Sequence, residues 1–520
     1  MKISRTQFQL VIILLLAASC KSDNNEHQNE KSKDRNMHGY RIPRGLTVTT
    51  EGLSDGYAMV MMPNSVSTLL INRKGEVVHE WKGYFGNSWS SVYLMDDGSL
   101  VQNAEDPDYP VFFGGGSMGR LQRISWDSKT LWDFEYANEK EFAHHDIAVL
   151  PNGNVLTIAW ESKTYDEALQ AGRKPEMIPA DGLWPDKIVE VVPDGKHGGK
   201  IVWEWHVFDH LIQDHDPAKA NYGNPAEHPE LLDFNVGELA PPQIANDSME
   251  TLRAKNKVHR NRTGGNRGAD IYHFNAINYN ADLDQIVFSS PHLSEVFIID
   301  HSTTTKEAAG HTGGRWGKGG DFLYRWGNPQ NYRRGDAASQ KLFGQHDVRW
   351  IEKGKPGEGH LTVFNNDISG RKDSMNYSAI FEFAPPVDVK GVYVLQEGKT
   401  FGPDEPVWTY VAQDTLSFYS SYISSAHRMD NGNTFIFEGA RGRSFEVTPE
   451  GKIVWEYLTQ FRGELREPNG DPTDLMPRPY SGFRSTFIPA NHPALAGKEL
   501  KPLDPQPKIF ALPPAEMEKK

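Results

Sequence analysis

Cysteine is nearly absent from this chain of 520 residues: Cys20 stands alone, so no disulfide can form within it. The apolar stretch from Leu10 to Ala18 covers nine residues, too few for a permanent membrane-spanning helix. An excess of positive charge is absent as well. The net charge of −14 excludes the dense basic surface that nucleic acid requires. Long helical periodicity is scarce. The glycine run Gly313 to Gly320 lacks the first-glycine spacing of a phosphate-binding loop and has no Ser or Thr after Lys318.

The beginning of the chain carries an address. Lys2 and Arg5 precede the apolar stretch, and Ala17-Ala18-Ser19 lead into Cys20. Residues 1–20 therefore read as an export signal whose Cys20 resembles the acylated first residue of a bacterial lipoprotein. Residues 21–44, polar through Met37, read as a flexible tether. The expectation is an exported protein, lipid-anchored on the periplasmic or cell-surface side of a bacterial membrane.

Six tryptophans mark six units: Trp81, Trp132, Trp205, Trp326, Trp408 and Trp455. Each lies in a strand-like run after a turn. In the third unit Ile201, Trp203, Trp205 and Val207 alternate with Val202, Glu204 and His206, the period of a strand with two different faces. Asp97-Gly98, Asn152-Gly153, Asp194-Gly195, Asn431-Gly432 and Glu450-Gly451 supply hairpin turns. Six all-β units predict a six-bladed β-propeller over about residues 45–500, with a tail at 501–520. A polar insertion at about residues 209–268 is expected to cover one face of the ring. Thr303 to Asp321 reads as a glycine-rich lip. The Pro-rich chain after Trp455 is expected to pack outside the ring or help close it.

Four histidines recur ahead of β-rich runs: His145, His273, His346 and His427. In a ring of repeats, equivalent positions point at one place, so four imidazoles would converge on a central pocket. A neutral imidazole is both a nucleophile and an acid–base near neutrality. A repeated histidine can instead bond neighbouring blades. The first two units depart from the pattern, with Met59 or Met61 and Ser88 to Ser91 in its place. For metal, His206 and His210 have helical ligand spacing but lack the adjacent Glu, and their surroundings are not clearly helical. The expectation is no metal and no cofactor.

The segments HHDIAVLPNGN, YHFNAINYNADLDQIVFSS, IIDHSTTT, GDFLYRWGNPQNY, LFGQHDVRW and VFNNDISGR resemble the bacterial aryl-sulfate sulfotransferase family, over about residues 45–500. The resemblance implies transfer of a sulfuryl group from a phenolic sulfate to a phenolic acceptor, without adenosine phosphosulfate or metal. It places the nucleophile, carried as a sulfohistidine, on His346, with His273 and His145 in support. His427 is expected to line the pocket and His292 to contact substrate. Where the family has a sulfonate-holding arginine, this chain has Pro291. Arg349, Arg371, Arg428 and Arg484 are candidate replacements, Arg371 and Arg428 preferred. Local positive charge is expected in the mouth. Two other readings keep the pocket. One is a carbohydrate-active propeller such as a polysaccharide lyase, with Tyr272, Tyr324 or Tyr422 assisting. The other is a non-catalytic ligand-binding propeller.

Overall fold

A computed structural model describes residues 42–63, 65–83, 91–106, 111–255, 262–368, 376–463 and 480–509. Cys20, the tether up to residue 41 and Arg371 lie outside the described residues. Six antiparallel sheets form six blades of a propeller. Blade 3 runs outward from Glu141–Val149 through Val155–Glu161 and Asp186–Asp194 to Gly198–His206. Blade 4 runs from Ala276–Asn280 to Tyr324–Trp326, and blade 5 from His346–Trp350 to Trp408–Tyr410. Blade 2 begins at Val92–Leu94 and blade 6 at Ser425–Arg428.

Both ends of the described chain close the ring. Ser485–Pro489 is the innermost strand of blade 1, pairing with Gly56–Met61. Gly45–Thr49 adds a fifth strand outside Ile453–Leu458 of blade 6. After Ser485–Pro489 the chain returns along blade 1, where Leu503 N–H and the Gln506 amide both donate to the Val77 carbonyl. Closure leaves no free inner edge for another chain to pair with.

A blade is buried on both faces, so its middle strands are apolar throughout; all seven residues of Val155–Glu161 are buried. The outer strand of blade 3 instead alternates, with Trp203 and Trp205 buried and Val202 exposed. The hydrophobic core is divided into wedges between neighbouring blades. Val101, Leu121 and Trp132 of blade 2 meet Ile147, Val155 and Val189 of blade 3, and Phe364 and Ile380 of blade 5 meet Ile436 and Phe445 of blade 6.

The six tryptophans all stand on fourth strands, and five stitch one blade to the next. Their indole N–H groups donate across the seams: Trp132 to Gly198 O, Trp205 to Gly320 O, Trp326 to Pro403 O, Trp408 to Pro449 O and Trp455 to Arg73 O, at 2.7–3.0 Å. Trp81 is buried with no such partner among the described residues. The 209–268 segment carries a short parallel pair, Leu211–Ile212 with Leu232–Asp233, and a helix Asn246–Ala254.

Candidate functional site

The innermost strands of blades 3, 4 and 5 lie side by side and bring His145, His273 and His346 to the wall of one cavity of about 710 Å³. The backbone is bent at each place. His145, His273 and Asp347 have φ of +55°, +56° and +55°, and pairing slips by two residues at His145 and Asp146 and by one residue just after His346. Such bulges turn a side chain out of a flat ladder and aim it elsewhere, here at the ring's mouth. The residues that follow hold the strands together. Asp146 accepts the Ile277 N–H of blade 4 (2.9 Å) and Asp347 accepts the Ala426 N–H of blade 6 (2.9 Å). The Asn275 amide donates to Gln345 O (2.8 Å).

His346 has a fixed tautomer. Asn366 donates its amide hydrogens to Ser420 O and Ile423 O, so its Oδ1 must face His346 Nδ1, 2.8 Å away. Nδ1 therefore carries the proton. Nε2 is left as a lone pair, which accepts the Ile423 N–H at 3.1 Å. Ile423 holds φ of +53°, an unusual conformation for a β-branched residue. Burial pushes the pKa of His346 down to about 3, so the imidazole is neutral at physiological pH.

His273 sits between two partners. Its Nδ1 is bound to Asp270 Oδ2, and its ring stacks on His292 at 4.8 Å. Burial works to raise the Asp270 carboxyl, but the His273 charge and hydrogen bond prevail and hold it at about 2. A carboxylate on one imidazole nitrogen orients the ring and leaves Nε2 to exchange a proton. The His145 ring meets His273 edge to face at 4.3 Å and shares a 2.7 Å Nδ1–Nδ1 hydrogen bond with His144. Burial, reinforced by His273, keeps His145 well below the ordinary histidine pKa. Gly116 closes over this ring: a Cβ there would stand 2.4 Å from His145 Cδ2, and its φ is +71°. Only glycine fits so close an approach.

His427 does not line the cavity, contrary to the four-fold alignment. Its Nε2 accepts the Phe487 N–H of blade 1 at 3.0 Å. Asn278 of blade 4 does the same work, accepting the Trp350 N–H of blade 5. His427 therefore stands farther down the inner strand than His346, and Ile423 occupies the cavity level of blade 6. Arg428 is displaced with it. Its guanidinium is bound to Glu382 and to Gly432 O (2.7 Å) and lies over Trp408. Arg484 and Arg349 fill the hub beneath the histidines, neutralised by Asp146 and Asp347: Arg484 to Asp146 at 2.5 Å and to Asp347 at 3.3 Å, Arg349 to Asp347 at 2.5 Å. Neither lines the cavity. His292 and Pro291 do.

Sequence reasoning missed Arg262, the only Arg or Lys on the cavity wall among the described residues. It comes from the 209–268 insertion, which has no repeat to align it. Its guanidinium lies 5.0 Å over the Phe113 ring and has no hydrogen bond or ion pair among the described residues, while its carbonyl accepts from Arg253. Glu105 is the one carboxylate on the same wall among the described residues. Phe113, Met118 and Phe483 give the cavity an apolar side. Of the three tyrosines, Tyr422 lines it; Tyr272 and Tyr324 are buried in the seams around blade 4. The wall thus offers an unprotonated imidazole nitrogen, a carboxylate-oriented imidazole, a guanidinium and an aromatic surface.

No curated protein sequence matches this chain. Solved structures match as distant propellers. A protein of unknown function from Bacteroides caccae is 12% identical, covering 78% of this chain and 95% of that one at a TM-score of 0.38. A periplasmic gluconolactonase from Pseudomonas aeruginosa is 10% identical, covering 84% and 99% at 0.38. The profile of the Arylsulfotransferase (ASST) family matches residues 69–463, which hold five of the six inner strands and every histidine of the cavity wall, and this chain belongs to that sulfotransferase family.

Proposed function

We propose that the chain transfers a sulfuryl group between phenols through a sulfohistidine on His346, without a nucleotide donor. The observation that carries this reading is the locked tautomer of His346, which leaves Nε2 unprotonated at the cavity. In the first half-reaction the Nε2 lone pair leaves the Ile423 N–H and attacks sulfur. An N–S bond forms, the S–O bond to the aryl group breaks, and the electron pair departs on the phenolate oxygen. The imidazolium of His273, stabilised by Asp270, gives its proton to that oxygen, so a phenol leaves. In the second half His273 takes the proton of the acceptor phenol. The acceptor oxygen then displaces His346 from sulfur. The sulfonate oxygens carry charge throughout, and the Arg262 guanidinium, the freed Ile423 N–H and a His145 N–H are placed to hold them. Phe113, Met118 and Phe483 suit the aryl ring.

The test is a chromogenic aryl sulfate supplied with and without a second phenol. The expected result is turnover that depends on the acceptor, disappears in His346→Ala, and leaves a donor-treated His346 peptide heavier by one sulfuryl group. Acceptor-independent hydrolysis, or a label on another histidine, would refute the mechanism. We further propose that the protein is exported and anchored through Cys20, as residues 1–20 support. Cys20→Ser should move it from the membrane fraction to the soluble one.

A further inference from the structure

We infer that His210, His311 and Asp321 bind one divalent transition-metal ion of the zinc class at the seam of blades 3 and 4. His210 follows the outer strand of blade 3, whereas His311 and Asp321 belong to the loop between Glu295–Asp300 and Tyr324–Trp326 of blade 4. The Nδ1 atoms of His210 and His311 each lie 2.8 Å from one oxygen, Asp321 Oδ1. All three ligand atoms fall within 4.8 Å of one another.

The way His210 is held carries the argument. Its ring is wholly buried and stacks on Trp205 at 5.4 Å, and Nε2 lies 2.8 Å from the Ala308 carbonyl oxygen. A carbonyl only accepts, so Nε2 bears the proton, and in the neutral ring Nδ1 is a lone pair. That lone pair faces a carboxylate oxygen, a repulsive contact out of reach of water. A cation between them removes the conflict. A proton could serve for His210 alone, but a second imidazole nitrogen reaches the same oxygen from the solvent side, on a ring 60% exposed that burial does not constrain. Two imidazoles and a carboxylate, one imidazole fixed from behind by a backbone carbonyl, form the ligand set and outer support of a metal centre.

The distances accommodate an ion. Metal–ligand bonds of about 2.0–2.2 Å separate N and O by about 2.9 Å at a right angle and about 3.3 Å in a tetrahedron. The two N–O separations of 2.8 Å therefore need to open by about half an ångström or less. The N₂O donor set favours zinc and its neighbours over calcium and magnesium, which prefer oxygen throughout. The helical spacing of His206 and His210 is not the basis of the site: His206 turns to Glu161 and Glu204 instead. None of the three ligands lines the histidine cavity, so the ion clasps the two loops rather than joining the chemistry.

The full chain, stripped with chelator and dialysed, should take up one equivalent of Zn²⁺ by calorimetry and melt a few degrees higher when loaded. Co²⁺ in its place should give d–d absorption bands. His311→Ala, at an exposed position that does not threaten folding, should weaken binding at least tenfold. His273→Asn should leave it unchanged, which separates this site from the cavity histidines. No stoichiometric uptake by the unmutated chain, equal affinity in His311→Ala, or loss in His273→Asn would each overturn the assignment.

Discussion

Lowering the pH from ~7 to ~5 tests the environment of His346 directly. Burial holds its pKa at about 3 against an ordinary value of 6.5. At pH ~5 the folded protein keeps a fraction of about 0.99 of this imidazole unprotonated, where an ordinary one would keep about 0.03. The same difference is a stability. Below about 6.5 the unfolded chain takes up a proton that the folded chain refuses until about 3. The contribution of the neutral buried ring is therefore complete above about pH 6.5 and is lost as pH falls towards 3. From one residue the loss is about 2 kcal/mol by pH ~5 and about 4 kcal/mol at pH ~3. His144, His145 and His427 are shifted in the same direction by burial, so the whole protein loses more than this. Urea unfolding of the unmutated chain and of His346→Asn at both pH values isolates the His346 share. The unmutated chain should lose about 2 kcal/mol more than the variant on acidification. Equal losses would refute the reasoning, because they would mean that His346 titrates alike in the folded and unfolded states.

Arg262→Ala should raise the KM for an aryl sulfate about tenfold or more, and Arg262→Lys should restore part of it; an unchanged KM in the alanine variant removes this residue from substrate binding. Gly116→Ala drives a methyl group into His145 and should cost about 1–3 kcal/mol together with most of the turnover, read by thermal melting and initial rates. Trp326→Phe deletes only the N–H that reaches Pro403 O while keeping an aromatic ring against Phe383. It should cost about 1 kcal/mol in urea unfolding with rates preserved.

The ring was legible because its signals are periodic. Tryptophans stand on the fourth strand of every blade, and glycines with positive φ mark hairpins in blades 2, 3 and 6, whereas the hairpins of blade 4 turn on Asp284 and Ser294. His145, His273 and His346 were legible for the same reason. The fourth histidine failed because a repeat fixes which strand a residue is on more firmly than its depth along that strand. His427 lies a few residues beyond the level of Ile423, enough to turn it from the cavity to a seam. Asp270 and Asn366, which fix two of the imidazoles, stand just outside the strands and have no counterpart in the other units. Arg262 sits in a non-repeating insertion, so only the folded chain shows that it reaches the mouth. The arginines that proximity to the motifs suggested are consumed elsewhere, Arg428 by Glu382 and Arg484 by two aspartates.

Arg484 stands one residue before the strand that seals blade 1, yet its guanidinium underpins Asp146, Asp347 and the Asn275 carbonyl, directly below the three imidazoles. During synthesis His145, His273 and His346 are all made long before this cation emerges. A nascent chain stopped short of Tyr480 would leave Asp146 without its cation, Asp347 with Arg349 alone, and an open gap between its first and last sheets. Ring closure and the compensation of Asp146 thus both wait on the last strand, so the hub beneath the cavity is completed only when translation is nearly finished.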